Sequence, residues 1–239
     1  MYSLMWLFMS FGLIVFMVSS STTATATASN LVFLPASTGA LCLDGSPYGY
    51  YLSLASPSDP GRDKWVISIQ GGGWCGDEGD CLGRSKGALG SSTGWSPNGG
   101  CYPGGGWDPG LVAGGNCAYL PYCDGASFSG YREDPWPVPP ADIDQEAEKA
   151  EVAEAAEVDL LHFRGARNLN ATLDSLFSTP TFVNATELLV VGTSAGGLST
   201  LLHLDYIAGR VKSVAPRAKV KGVSDAGMSN EKRDGGVAN

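Results

Sequence analysis

The segment Leu188-Leu189-Val190-Val191-Gly192-Thr193-Ser194-Ala195-Gly196 constrains the fold more than any other part of the chain. An apolar run with adjacent valines reads as a buried strand, and residues 198–207 after it read as a helix. A serine between two glycines at such a junction matches G-x-S-x-G, a sharp turn that presents a strained serine as a nucleophile. The glycines are needed because strand and helix press close on both sides of the turn. With glycine so abundant (33 of 239 residues), the pentapeptide alone also fits a turn without chemistry.

A second motif favours chemistry. Residues 65–70, Trp-Val-Ile-Ser-Ile-Gln, read as a short buried strand running straight into Gly71-Gly72-Gly73-Trp74. A glycine-rich turn after an upstream strand can aim backbone N–H groups at a developing oxyanion, where side chains would block the approach. Gly71, Gly73 and Gly76 also satisfy G-x-G-x-x-G. A dinucleotide site would need an acidic residue about twenty positions on, and residues 91–98 have none. The expected fold is therefore α/β: an α/β-hydrolase with a central, mostly parallel sheet.

A nucleophilic serine needs a histidine base and an acid, which this fold supplies later in the chain. The only histidine after Ser194 is His203. Nine residues along one helix put it roughly 13 Å away at ~1.5 Å per residue, out of reach of the Ser194 proton. Either these 239 residues stop before the catalytic machinery is complete, or the serine is inert. His162, just ahead of a helix, reads as structural. Arg164 reads as a hydrogen-bond donor to a loop carbonyl or carboxylate.

Residues 1–28 read as a secretory signal peptide. Residues 4–18 are apolar, Ser19-Ser20-Ser21 and small residues follow, and the span is slightly short for a membrane. No lysine or arginine precedes the apolar run, as an uncleaved anchor would also allow. The remainder, residues 29–239, suits one domain with a sizeable core. Secretion makes the six cysteines an expected disulfide set. Six allow many pairings; only Cys75–Cys81 is expected outright, because Gly76 and Gly79 let a short loop close while Asp77, Glu78 and Asp80 keep it at the surface. A metal site is not expected, since no C-x-x-C pair occurs and His162 and His203 lie far from the cysteines in sequence. No cofactor is expected. Asn170-Ala171-Thr172 and Asn184-Ala185-Thr186 are glycosylation sequons.

The net charge of −9 belongs to one segment: residues 132–159 carry ten acids and two bases, leaving fourteen and thirteen elsewhere. The nearly neutral body gives no electrostatic case for nucleic acid or membrane binding. Within an expected insert at residues 131–159, a Pro/Trp patch (135–140) precedes an Ala/Glu-rich run (142–158) that reads as a solvated helix or a disordered acidic linker. Residues 31–36 and 50–54 read as edge strands, 84–116 as a long loop region held by disulfides, and 117–122, 187–191 and 219–223 as strands. Residues 166–177 read as a helix.

Six stretches in order carry a family resemblance: Cys42-Leu43-Asp44-Gly45-Ser46-Pro47, Gln70-Gly71-Gly72-Gly73-Trp74-Cys75, Tyr122-Cys123-Asp124-Gly125-Ala126-Ser127-Phe128-Ser129-Gly130, His162-Phe163-Arg164-Gly165, Ser194-Ala195-Gly196-Gly197 and Ser224-Asp225-Ala226-Gly227. Together they resemble the pectin acetylesterase family, which includes the Notum carboxylesterases. The resemblance implies a secreted, cell-wall enzyme that deacetylates pectin or a pectin-like polysaccharide. It implies Ser194 as nucleophile, Gly73, Trp74 and Ala195 as oxyanion donors, and Asp225 as a pocket residue outside the triad. It leaves two alternatives: a catalytically dead relative that binds polysaccharide or protein, and a Notum-like fatty-acyl esterase. Family members continue well past residue 239 and carry their triad His and Asp there. The resemblance therefore implies that both, with the C-terminal part of the fold, are absent from these 239 residues and that the chain alone is inactive. Oligomeric state is not readable from the sequence.

Overall fold

The computed structural model describes residues 29–101, 115–139 and 158–227. The expected signal peptide, and residues 142–157 of the Ala/Glu-rich run, lie outside them. Seven strands form one sheet: β1 (Ser29–Phe33), β2 (Gly49–Ser53), β3 (Lys64–Ile69), β4 (Asn98–Gly99), β5 (Asn116–Leu120), β8 (Glu187–Thr193) and β9 (Lys219–Asp225). Their order is β4-β1-β2-β5-β3-β8-β9. The longer ladders, joining β5, β3, β8 and β9, are parallel; β2, β1 and β4 extend the sheet antiparallel. The helices are α1 (Glu78–Ser85), α2 (Gly165–Phe177) and α3 (Ala195–Val214). This is the expected α/β architecture.

Pleating explains how the core divides. Alternate residues Trp65, Ile67 and Ile69 of β3 enter the main cluster with Leu169, Leu173 and Leu176 of α2 and Ile207 and Val211 of α3. The intervening Val66 joins Cys117 and Val191 in a smaller cluster. Burial on both faces is why β3 and β8 read as continuous apolar runs. β9 borders the sheet, and its residues are half-buried or exposed.

Three local outcomes differ from expectation. The strands near residues 31–36 and 50–54 are β1 and β2, and neither is an edge: the two-residue β4 pairs outside β1, and the Leu31 N–H donates to Pro97 O at 3.0 Å. A Pro/Asn/Gly stretch has no apolar alternation to announce such pairing. The expected Cys75–Cys81 surface loop leads into α1, capped by the Asp77 carboxylate, which accepts from the Asp80 N–H at 2.8 Å. Glu78 and Asp80 in the first turn suit the helix dipole. The Pro/Trp patch forms a ribbon, β6 (Trp136–Val138) pairing antiparallel with β7 (Asp159–Leu161) at the base of the acidic segment. The Trp136 indole N–H donates to Glu78 Oε1 at 2.8 Å, and Val138 is buried beside Leu43, Cys81 and Leu161.

The disulfides are Cys42–Cys123, Cys75–Cys81 and Cys101–Cys117. The second is the expected one; the first ties the Cys42 turn to the segment after β5.

Candidate active site

β8 and α3 meet at Ser194, whose backbone is left-handed at φ 56°. The surrounding glycines are demanded by close approach. A Cβ on Gly192 would collide with the backbone of Gly196 and Gly197, and one on Gly196 with the carbonyls of Ile69 and Gln70 at the end of β3. A Cβ on Gly71 would collide with Thr193 O and lie 3.2 Å from Ser194 Cβ, so the glycine-rich turn after β3 lies against the serine. Both glycine motifs converge at the same ends of neighbouring parallel strands.

Backbone bonding sorts the available donors. The Ser194 N–H donates to Asp225 O at 2.8 Å and is occupied. The Ser194 carbonyl accepts from the Leu198 N–H at 3.0 Å as α3 begins. The next N–H, on Ala195, lies in the first turn, where helix N–H groups have no intrahelical partner, and it meets no acceptor among the described residues. In the upstream turn, Arg84 Nη2 donates to Gly72 O at 2.9 Å and to Trp74 O at 3.3 Å. A trans peptide points its N–H opposite its C=O, so drawing Gly72 O towards Arg84 turns the Gly73 N–H the other way. Gly72 and Gly73 adopt φ 153° and 71°, which favour glycine. The Cys75 N–H donates to Gly125 O at 3.2 Å and, with the Cys75–Cys81 bridge, anchors the end of the turn.

A third segment, Asp124 to Phe128, packs behind both. Ser127 and Phe128 are consecutive non-glycine residues at φ 51° and 60°. The Ser127 N–H donates to Tyr122 Oη at 3.1 Å, and the Phe128 N–H donates to Asp124 Oδ2 at 2.9 Å. Ser127 Oγ accepts from the Trp74 indole N–H at 2.7 Å and donates to Ala195 O at 2.8 Å. The Asp124 carboxyl is fully buried. Desolvation pushes its pKa up to about 7, opposed by backbone N–H groups of Phe128, Ala126 and Asp124 itself and by the charge of Arg84. Burial, with the Asp124 charge second, raises Tyr122 to about 12, which keeps its hydroxyl neutral.

Neither histidine serves Ser194 in this arrangement. His203 Nε2 lies 3.2 Å from Ser127 O. Burial lowers its pKa while the Ser127 bond raises it, so a neutral ring donates to that carbonyl. His162 packs against the turn at Gly45, where an added Cβ would stand 2.8 Å from its Nε2. Burial first, then Arg164, lower its pKa, and Asp44 opposes them. Arg164 donates to the Glu133 carbonyl, the expected kind of partner. Asp225 pairs with Thr193 across the β8–β9 ladder and accepts from Thr193 Oγ1 at 3.5 Å, beside the elbow. Among the described residues no three metal-ligating groups cluster.

Sequence reasoning anticipated the two glycine motifs and missed Arg84, Tyr122 and the bonding roles of Ser127 and Asp124. Hydrogen bonds between residues tens of positions apart have no local periodicity. The one signal for Asp124 and Ser127 was their place in the Tyr122–Gly130 stretch.

The sheet order, the helices flanking it and a left-handed serine between strand and helix define an α/β-hydrolase. Comparison with known proteins narrows this. The profile of the Pectinacetylesterase family matches residues 20–235, and the chain belongs to that family. It is 32% identical to pectin acetylesterase 4 of Arabidopsis thaliana over 238 residues, covering 93% of this chain and 52% of that protein. It is 34% identical to Arabidopsis pectin acetylesterase 5, covering 79% of this chain and 39% of that one. The structure of the Wnt deacylase Notum from Drosophila superposes with a TM-score of 0.64 at 28% identity, over 84% of this chain and 53% of that chain. The chain thus spans about half, or less, of the length of the curated relatives it matches. The relatives it matches carry the names pectin acetylesterase and palmitoleoyl-protein carboxylesterase.

Proposed function

We propose that the chain is the nucleophile-bearing part of a secreted serine esterase that removes acetyl groups from pectin or a pectin-like cell-wall polysaccharide. The observation that carries this reading is Ser194 at φ 56° between β8 and α3 with the Gly71–Trp74 turn packed against it. Ser194 Oγ attacks the acetyl carbonyl as its proton passes to a base. The oxyanion so formed accepts hydrogen bonds from the N–H groups of Gly73, Trp74 and Ala195. On its collapse the sugar leaves as a hydroxyl, taking the proton from the base. Water, deprotonated by the same base, then cleaves the acetyl-Ser194 ester to acetate and the free serine. Asp225 holds the elbow through its carbonyl and borders the pocket. The two histidines of the 239 residues are engaged elsewhere, so the base has to come from outside this stretch, and the stretch alone turns over at background.

The polysaccharide reading is favoured over a protein fatty-acyl substrate by the slightly higher identity to plant pectin acetylesterases, 32–34%, against 27–30% to palmitoleoyl-protein carboxylesterases. Three disulfides suit an oxidising, extracellular compartment. The segment at 131–159 is read as an insert into one hydrolase domain (29–239) that follows a signal peptide at 1–28.

The test joins residues 29–239 to the region that follows the matched part of Arabidopsis pectin acetylesterase 4, and measures acetate released from acetylated pectin. Release that Ser194→Ala abolishes is expected. Equal release by the Ser194→Ala chain would overturn the reading, and preference for octanoyl over acetyl esters would move it to the fatty-acyl class.

A further inference from the structure

We propose that Ser127 is a positioning residue for the oxyanion site, its hydroxyl coupling the Trp74 indole to the first turn of α3. The inference rests on the reading of Ser194, Trp74 and Ala195 given above. A serine hydroxyl has one proton to donate and two lone pairs. Ser127 spends the proton on Ala195 O at 2.8 Å and one lone pair on the Trp74 indole N–H at 2.7 Å. A single atom thus joins the two segments whose N–H groups must meet one oxygen, although Trp74 and Ala195 are far apart in sequence.

The joint is itself immobilised. Ser127 is 1% exposed, its N–H is held by Tyr122 Oη, and its carbonyl lies 3.2 Å from His203 Nε2. Every backbone and side-chain polar group of Ser127 therefore has a partner, in a backbone conformation a non-glycine residue rarely adopts. Trp74, by contrast, is 45% exposed and follows three glycines; Arg84 holds its carbonyl at 3.3 Å, and the bond to Ser127 holds its indole. Removing the hydroxyl frees the indole and leaves Ala195 O with its helical bonding only. The turn stays anchored through Arg84 and Cys75, but the Trp74 and Ala195 N–H groups lose the atom that fixes one against the other, and the oxyanion site is less preorganised.

Phenylboronic acid tests this without a general base. Boron takes a lone pair of Ser194 Oγ, the serine proton goes to solvent, and the tetrahedral boronate carries its negative oxygen where the oxyanion would sit. Binding is measured by fluorescence titration on the 239-residue chain, and Trp74 is followed by the exchange rate of its indole N–H in proton–nitrogen spectra. Ser127→Ala is expected to weaken boronate binding roughly tenfold or more, as loss of preorganised donors does, and to speed indole exchange. Ser127→Gly removes the same hydroxyl but relieves the positive φ, so it keeps the fold and is expected to show the same two losses. Wild-type affinity and wild-type indole protection in Ser127→Gly would overturn the proposal. Boronate binding that survives Ser194→Ala would instead overturn the reading of Ser194; the indole exchange measurement would still decide the role of Ser127.

Discussion

Three turns among the described residues hold non-glycine residues at positive φ, at Ser127–Phe128, Ser194 and Ala226, and the first two are held by opposite means. Ser194 at the end of β8 is clamped by backbone: Gly71, Gly192 and Gly196 lie so close to neighbouring carbonyls that no side chain fits. Ser127 and Phe128 are clamped by polar groups from across the fold: Tyr122, Asp124, Trp74 and His203. Each left-handed residue costs about 1–2 kcal/mol, so both turns need outside support. Close packing cannot be titrated, whereas a buried carboxyl can. The elbow should therefore be rigid and indifferent to pH, and the Ser127 turn should respond to it.

The largest expected effect breaks the first clamp. Gly196→Ala forces a methyl into the Ile69 and Gln70 carbonyls and should cost more than about 3 kcal/mol, beyond ordinary overpacking. Gly76→Ala, with nothing within 4 Å of the new Cβ, should stay within about 0.5 kcal/mol. Urea unfolding of both variants checks the contrast, and equal losses would remove the packing argument.

The second clamp is tested by pH. The native Asp124 carboxyl titrates at about 7 against an ordinary 3.8. Between those values the native state binds more protons than the unfolded state. The stabilisation associated with the neutral carboxyl is thus complete below about pH 4 and is lost as pH rises towards 7. At ~1.4 kcal/mol per unit the loss amounts to a few kcal/mol. Asp124→Asn should abolish this share of the slope, so the wild-type stability minus that of the variant should fall from pH 4 to 7. A difference that stays flat would mean the carboxyl is not desolvated as described.

Tyr122→Phe removes the acceptor for the buried Ser127 N–H and should cost about 1–3 kcal/mol. It should also weaken Trp74 indole protection, whereas substitutions on the exposed face of α3 should not. Intact protection in Tyr122→Phe would show that the turn does not need this bond. The smallest expected effect separates the two sequons. Asn170 Oδ1 accepts from Tyr206 Oη at 2.6 Å inside α2, and Thr172 is buried, whereas Asn184 and Thr186 are exposed. In a glycosylating host, mass spectrometry is expected to find glycan on Asn184 and not on Asn170, with little change in stability. Glycan on Asn170 would contradict the packing of α2 on α3.

The same contrast explains what was readable beforehand. Apolar runs announced β3 and β8, which are buried on both faces, and glycine spacing announced the turns that follow them. Cys75–Cys81 was readable because its loop is short. β4 was not, since Asn98 and Gly99 pair through backbone alone. Nor was α1, whose Gly79 and Gly83 lower helix propensity and whose start rests on the Asp77 cap. The Ser127 joint was hidden because its partners lie 53 and 68 residues away.

On the proposed reading, Ser194 lies beside its oxyanion donors while His203 and His162 are engaged elsewhere, so the serine lacks a base. Adding free imidazole to the 239-residue chain tests it most directly, with p-nitrophenyl acetate as substrate and the Ser194→Ala chain subtracted as background. Without imidazole the difference should be close to zero, and with imidazole it should rise with concentration, because the small base fills the role no side chain plays. Ser194-dependent turnover without imidazole would contradict the account, since His203, His162 or Asp225 would then be acting on a serine that none of them is placed to serve.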